Sequence, residues 1–261
     1  MRGNPSPQRP PDPAAATGPS DDAAASTDRP PGDHLPARST NGLRRVSAGV
    51  RNRLVDGEQS WGARRRRARA AWLSDTFPDL PSMSVIDLGG RVETWTRALV
   101  RPAHVHVVNL EGPTSDVPDW AEVDHGDACH LPAHIAARRY DLVFSNSVLE
   151  HVGGHERRLR FAEFVHTLAD RHWVQTPYRY FPIEPHWLAP GMQFLPLRAR
   201  VALARRWPLQ HTVASRREDA VAEVLWTELL DYTQMRHLFP ASRIRTERLA
   251  GLPKSLIAIA V

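Results

Sequence analysis

From residue 84 onward, short apolar runs rich in β-branched residues alternate with stretches of helical spacing. The runs are 84–88, 105–110, 141–145 and 172–176, and the helical stretches are 93–100, 131–138 and 156–170. Strands apolar on both faces and separated by helices belong in a parallel sheet covered on both sides. A more polar run at 121–125 reads as a further strand of that sheet. The end of the chain changes character. Residues 222–238 have helical spacing throughout, and 243–249 and 255–261 read as strands joined by Ala250-Gly-Leu-Pro-Lys254. Five residues cannot hold a crossover helix, so this pair forms an antiparallel hairpin. The expected fold class is α/β, a Rossmann-like, mostly parallel seven-stranded sheet with helices on both faces and a C-terminal antiparallel hairpin.

The N-terminal stretch has neither period. Residues 1–40 hold nine of the 23 prolines and, apart from Met1 and Leu35, no large aliphatic or aromatic residue. Such a segment buries too little apolar surface to offset its ordering entropy, and 1–42 is expected to be a disordered tail. Residues 43–80 change to Arg and Ala with spaced Val50, Leu54, Trp61, Ala68 and Trp72, a basic helical segment. The rest, 81–261, reads as one domain with an insertion at about 180–220.

Charge refines this picture. The formal net charge is +5, but 1–40 carry four Arg against five Asp and 41–72 carry nine Arg against Asp56 and Glu58. The partition is therefore −1, +7 and −1 for the remainder. The basic character belongs to an attachment of the fold, which does not call for a nucleic-acid partner. The single cysteine, Cys129, excludes an internal disulfide, a four-thiolate zinc site and a cysteine-bound iron–sulfur cluster. The absence of a secretory pattern and of long apolar runs leads to the expectation of a cytoplasmic protein.

Ligands of an open parallel sheet bind beyond the carboxyl ends of its strands. The first strand ends Val85-Ile-Asp-Leu-Gly-Gly90, and the second ends Val108-Asn-Leu-Glu111 about 20 residues on, the spacing of a ribose-recognising position. Gly126-Asp-Ala128 follows the third, and Tyr140-Asp-Leu-Val-Phe-Ser-Asn-Ser-Val-Leu-Glu-His151 spans the fourth. With these motifs and the terminal hairpin, 82–261 resembles the class I S-adenosylmethionine-dependent methyltransferases, closest to the small-molecule enzymes labelled type 11. Val174-Gln-Thr-Pro-Tyr-Arg-Tyr-Phe-Pro-Ile-Glu-Pro-His186 looks like a signature of a bacterial subgroup. The resemblance implies S-adenosylmethionine as cofactor. It places Asp87, Gly89 and Gly90 at the methionine end, Asn109 or Glu111 at the ribose, Asp127 and Ala128 at the adenine, and Ser145 and Asn146 near the sulfonium. Two departures stand out: Arg91 and Glu93 replace later glycines of the turn, and Asn109 stands where the second strand of the family ends in an acid.

Methyl transfer needs an aligned acceptor and a route for its proton. His151, Glu184 and His186 lie after the fourth and fifth strands and are the candidate catalytic groups. Asp124, His125, Asp127, Cys129 and His130 are metal-ligand types, but neighbours on a strand alternate faces, so no metal is expected. The acceptor is expected to be a small molecule, a sugar or a lipid-linked compound, methylated at oxygen. The arginine- and tryptophan-containing segment 195–207 reads first as a lid and second as a peripheral membrane contact. Two alternatives stand beside this reading: an RNA methyltransferase holding phosphates with its basic segments, and a degenerate, non-catalytic interaction module.

Overall fold

The computed structural model describes residues 59–113, 116–209 and 216–261, with positions 49, 52, 53 and 57. The tail expected at 1–42 lies outside the described residues, as does most of 43–58. The first long element is a helix, α1 (Trp61–Thr76), whose N-cap Ser60 accepts a hydrogen bond from the Ala63 amide. Pro78, two residues past Thr76, rules out its continuation.

Strand β1 (Ser84–Leu88) leads through a one-turn helix, α2 (Val92–Thr96), to β2 (His104–Asn109) and β3 (Ala121–His125). A second one-turn helix, α3 (Ala133–Ala136), precedes β4 (Leu142–Asn146), α4 (His155–Leu168) and β5 (His172–Pro177). The insertion holds a two-residue ladder, β6 (Ile183–Glu184) with β7 (Ala189–Pro190), and a helix α5 (Leu197–Ala204). Helices α6 (Arg217–Trp226) and α7 (Tyr232–Leu238) follow, then β8 (Arg243–Leu249) and β9 (Leu252–Ala260).

Seven strands form one sheet in the order β3-β2-β1-β4-β5-β9-β8. The first five are mutually parallel, β9 is antiparallel to β5, and β8 is antiparallel to β9. This is the expected α/β class. The hairpin turn is tighter than the five-residue connection read from the sequence: Leu249 pairs with Leu252, and Ala250 and Gly251 both take positive φ, 50° and 82°. That backbone is the two-residue turn whose twist matches antiparallel strands.

Each face of the sheet buries one layer. Ile86, Leu88, Val143 and Val174 pack with Phe161 and Val165 of α4 and Met235 of α7. On the other face Val85, Phe144, Trp173 and Ile257 pack with Leu73 of α1, Phe77 and Trp95. The basic segment thus contributes a wall of the core through α1. Within the insertion, Trp187, Met192, Val201 and Ala204 form a separate cluster with Ala220 and Val224 of α6.

The single helix read over 222–238 is two helices. Thr227 to Asp231 run extended: the Glu228 amide donates to the Glu150 carbonyl, Leu230 bridges Tyr178, and Arg158 reaches the Glu228 carbonyl and carboxylate. Asp231 then starts α7 with a reciprocal capping box to Gln234. The Asp-x-x-Gln spacing carries that break in the sequence.

Candidate functional site

Strand order reverses between β1 and β4, which places the ligand crevice outside their carboxyl ends. Asp87 sits there at 1% exposure. Its Oδ2 accepts a hydrogen bond from the Trp95 indole at 2.8 Å, while Oδ1 has no partner. Burial pushes its carboxyl up to about 7, partly opposed by the indole. The following turn wraps this group. Gly89 has φ +80°, and a Cβ on it would meet Val148 at 2.6 Å, so the β1 turn and the loop after β4 touch. A Cβ on Gly90 would lie 1.9 Å from Asp87 Oδ2. Gly90→Ala is therefore expected to lower stability by ~1–3 kcal/mol or more in urea unfolding. Gly154→Ala, where a Cβ meets nothing within 4 Å, is the control; equal losses in both would remove the packing argument.

The polar groups expected to hold the nucleoside are tied within the chain. Asn109 donates to the Gly90 carbonyl and accepts from the Glu111 and Gly112 amides, so its amide braces the β1 turn against the β2 turn. Glu111 forms an exposed ion pair with Arg91. Arg91 and Asn109, the two departures, thus hold the same pair of turns through different partners. Asp127 accepts from the Cys129 amide and pairs with Arg157, which holds its carboxyl below the ordinary range against a burial that acts the other way. Ala128 is buried in the core beside it. Exposed pairs of this kind contribute about 0–1 kcal/mol, so a ligand can displace them at little cost.

Ser145 and Asn146 point to opposite faces of β4, as neighbours on a strand must. The Ser145 hydroxyl donates to the Leu88 carbonyl and is fully buried. Asn146 meets a group absent from the sequence reading: Arg69 of α1 donates to Asn146 Oδ1 at 2.6 Å and Gln175 Oε1 at 3.1 Å, and to Glu247 Oε2 at 2.8 Å. Ser147 follows at φ 59°, a left-handed backbone uncommon for a side-chain-bearing residue, with its hydroxyl on Gln175 Oε1. Strained backbone of this kind clusters at functional sites.

Beyond β4 and β5 the structure brings together the three candidate catalytic groups and adds Glu150. His186 Nδ1 donates to Glu184 Oε1 at 2.6 Å, and Glu184 Oε2 accepts from the Trp187 amide. The His151 and His186 rings meet edge to face at 4.8 Å. His151 Nδ1 lies 3.3 Å from the Trp226 carbonyl. Burial, with His186 beside it, pushes His151 down to about 4. Glu150 is fully buried; its Oε2 accepts from the Thr176 hydroxyl and its Oε1 has no hydrogen-bond partner. Burial raises its carboxyl above the ordinary range, with His186 opposing. The histidines open on a cavity of ≈ 360 Å³ that Trp187, Glu223, Trp226 and Thr227 also line. The sequence around Glu150 and His151 gives no hint of this meeting, because Glu184 and His186 arrive from a different loop.

The segment 124–130 does not converge. Asp124 bonds His106, which also meets the Tyr140 hydroxyl, Asp127 pairs with Arg157, and Cys129 is buried with its thiol pushed up to about 11 by that burial. No described helix is long and apolar enough to cross a membrane.

No protein-family model matches the chain, and no curated protein does. Among solved structures it is similar to the magnesium protoporphyrin IX methyltransferase of Synechocystis PCC 6803, solved with bound SAH: 15% identity over 88% of this chain and 90% of that one, TM-score 0.45. An O-methyltransferase family protein from Burkholderia thailandensis gives 14% identity, 85% and 60% coverage and a TM-score of 0.45. A cyclopropane-fatty-acyl-phospholipid synthase-like protein from Lactobacillus casei gives 10%, 80% and 81%, and 0.46. Likenesses this weak carry no argument about what the chain does.

Proposed function

We propose that this chain is an S-adenosylmethionine-dependent methyltransferase acting at an oxygen of a small-molecule, sugar or lipid-linked acceptor. The observation that carries the reading is the β1 turn. A buried carboxyl with one unpartnered oxygen is followed by two glycines at which an added Cβ would clash, at the point where strand order reverses. Asp87, Gly89 and Gly90 would hold the amino-acid end of the cofactor, Glu111 the ribose and Asp127 the adenine, the last two after releasing Arg91 and Arg157. When bound, S-adenosylmethionine supplies a methyl group activated by its sulfonium.

The chain's own residues do the rest. Val148 packs against the Gly89 turn, and Glu150 and His151 follow in the same loop, so the histidine cavity adjoins the cofactor crevice. The acceptor sits in that cavity, between Trp187 and Trp226, with the hydroxyl toward His151 and His186. Glu184 fixes the His186 ring, and this cluster is where the acceptor proton leaves. The described part of the insertion, 180–209, including 195–207, is the lid of this pocket.

The paired state of Glu111 and Asp127 favours a second reading, a non-catalytic module of the same fold whose nucleoside groups are internally satisfied. Calorimetric titration of the full chain with S-adenosylmethionine and S-adenosylhomocysteine decides. Heat with one-to-one stoichiometry, lost in Asp87→Ala, supports the enzyme. A flat titration at high protein concentration supports the module and removes the enzyme.

A further inference from the structure

We infer that Glu150, His151 and His186 form a binding site for a divalent first-row transition-metal cation of the zinc type. One ligand atom from each lies within 4.8 Å of the others, and the three residues come from two loops the fold has to bring together. Glu150 Oε1 is fully buried, has no hydrogen-bond partner, and lies 3.8 Å from His186 Nε2. That separation is too long for a hydrogen bond. It is about half an ångström wider than two ligands around a tetrahedral ion with bonds of ~2.0–2.1 Å, and His151, within 4.8 Å of both, has to move in with them to complete the set. A buried carboxyl oxygen without a hydrogen bond is costly; a protonated His186 would offset part of that cost at 3.8 Å, and a cation held between the two groups would offset it more fully.

The surroundings are those of a metal site and go beyond the three ligands. Ligating imidazoles characteristically donate their second ring nitrogen to a carboxylate or a carbonyl. His186 gives Nδ1–H to Glu184 Oε1 at 2.6 Å, which leaves the lone pair of the neutral ring on Nε2; His151 Nδ1 lies 3.3 Å from the Trp226 carbonyl and 3.4 Å from the Thr227 hydroxyl, and the tautomer that donates to the carbonyl is the one that ligates through Nε2. Glu150 is braced in turn by the Thr176 hydroxyl on Oε2. Two imidazoles and one carboxylate suit zinc, cobalt, iron or manganese better than the all-oxygen shells of magnesium or calcium. Three protein ligands leave a position open toward the ≈ 360 Å³ cavity, the pattern of reactive rather than purely structural sites.

Binding of the cation stands on this geometry alone; its use in catalysis rests on the methyltransferase reading. There the acceptor hydroxyl occupies the open position, where the cation lowers its pKa. Its proton passes to water in the open cavity. The oxygen then bonds the methyl carbon as the carbon–sulfur bond breaks, and the sulfur keeps the electron pair.

The test is equilibrium dialysis of the full chain, stripped with a chelator, against Zn2+, and an optical titration with Co2+. One equivalent of each is expected, with a Co2+ visible spectrum free of thiolate charge transfer. His186→Ala is expected to weaken Zn2+ by more than 100-fold, and Glu184→Gln, which leaves one acceptor oxygen for Nδ1 and the Trp187 amide together, by about 10- to 100-fold. Asp124→Asn, in the separate His106 cluster, is expected to change nothing. Far-ultraviolet dichroism and urea midpoints show that each variant is folded; should His186→Ala be unfolded, Glu184→Gln and His151→Asn decide. Three results would overturn the site: no stoichiometric Zn2+, binding that survives every one of these changes, or equal competition by Mg2+. A chain that binds Zn2+ but not S-adenosylmethionine keeps the metal site and loses the methyltransferase; the reverse result does the opposite.

Discussion

Arg69→Met is expected to destabilise the protein by ~3–5 kcal/mol, measured as a shift of the urea unfolding midpoint at constant slope. The guanidinium is nearly buried, at 12% side-chain exposure, and reaches Asn146, Gln175 and Glu247 on three strands of the sheet. Glu247 is 6% exposed, so removing the arginine leaves an unpaired carboxylate in the interior. The effect follows from breaking the pair more than from its net value. Arg69→Met combined with Glu247→Gln is therefore expected to recover more than half of the loss. A single-variant loss under ~1 kcal/mol, or no recovery in the double variant, would show that α1 rests on the sheet through Leu73 and its apolar neighbours alone. The same change frees the amide of Asn146 at the carboxyl end of β4, so weaker binding of S-adenosylmethionine is expected to accompany it.

The second large effect is a dependence of stability on pH that traces to Asp87. Its ordinary value of 3.8 is raised to about 7 by burial. Below about pH 4 the carboxyl is protonated in both the folded and the unfolded chain. From there to about 7 the folded state keeps the proton and the unfolded state has lost it, so stability falls as pH rises, at ~1.4 kcal/mol per pH unit, and levels off above 7. Asp87→Asn mimics the protonated acid and has no such dependence. Measured by urea unfolding, the variant's stability relative to the parent is expected to rise by ~3 kcal/mol between pH 5 and pH 8. A change below ~0.5 kcal/mol would mean that Asp87 stays ionised in the fold, with water reaching Oδ1. Under the proposed function, a bound ammonium favours the ionised carboxyl, so saturating S-adenosylmethionine is expected to move the profile of the parent to lower pH and to leave Asp87→Asn unmoved.

Both effects arise where local pattern says least. The strands were legible from their β-rich runs: 84–88, 121–125 and 243–249 coincide with β1, β3 and β8, those of β2, β4 and β5 differ by one residue at one or both ends, and β9 begins three residues before the run at 255–261. The hairpin followed from the shortness of its connection. The long helix over 222–238 misled because apolar spacing continues through Leu229 and Leu230, while those residues are buried as extended chain between α6 and α7. Spacing identifies which residues are buried and leaves open whether the backbone between them is helical.

The same division holds at the site. Asp87, Gly89 and Gly90 could be read because a turn at a strand end is local, and its glycines answer to a clash with Val148 on one side and Asp87 on the other. Asn109 and Glu111 could be placed on the right turn but not given partners; the structure turns one to backbone and pairs the other with Arg91. His151, Glu184 and His186 were picked singly by residue type. Their meeting with Glu150, and the docking of Arg69 onto Glu247 across 178 positions of chain, are long-range contacts with no sequence period.

By itself, then, the sequence determined the layered α/β sheet, the glycine turn after β1 and the location of the excess positive charge in 41–72, since each rests on near neighbours in the chain. Only the tertiary structure decided that one arginine of that basic segment enters the core, that Glu111 and Asp127 are held in ion pairs, and that two histidines and two glutamates form one cluster. Those outcomes depend on which loops the sheet order brings side by side, and a buried charge or an orphaned carboxylate oxygen exists only once the chain around it has closed.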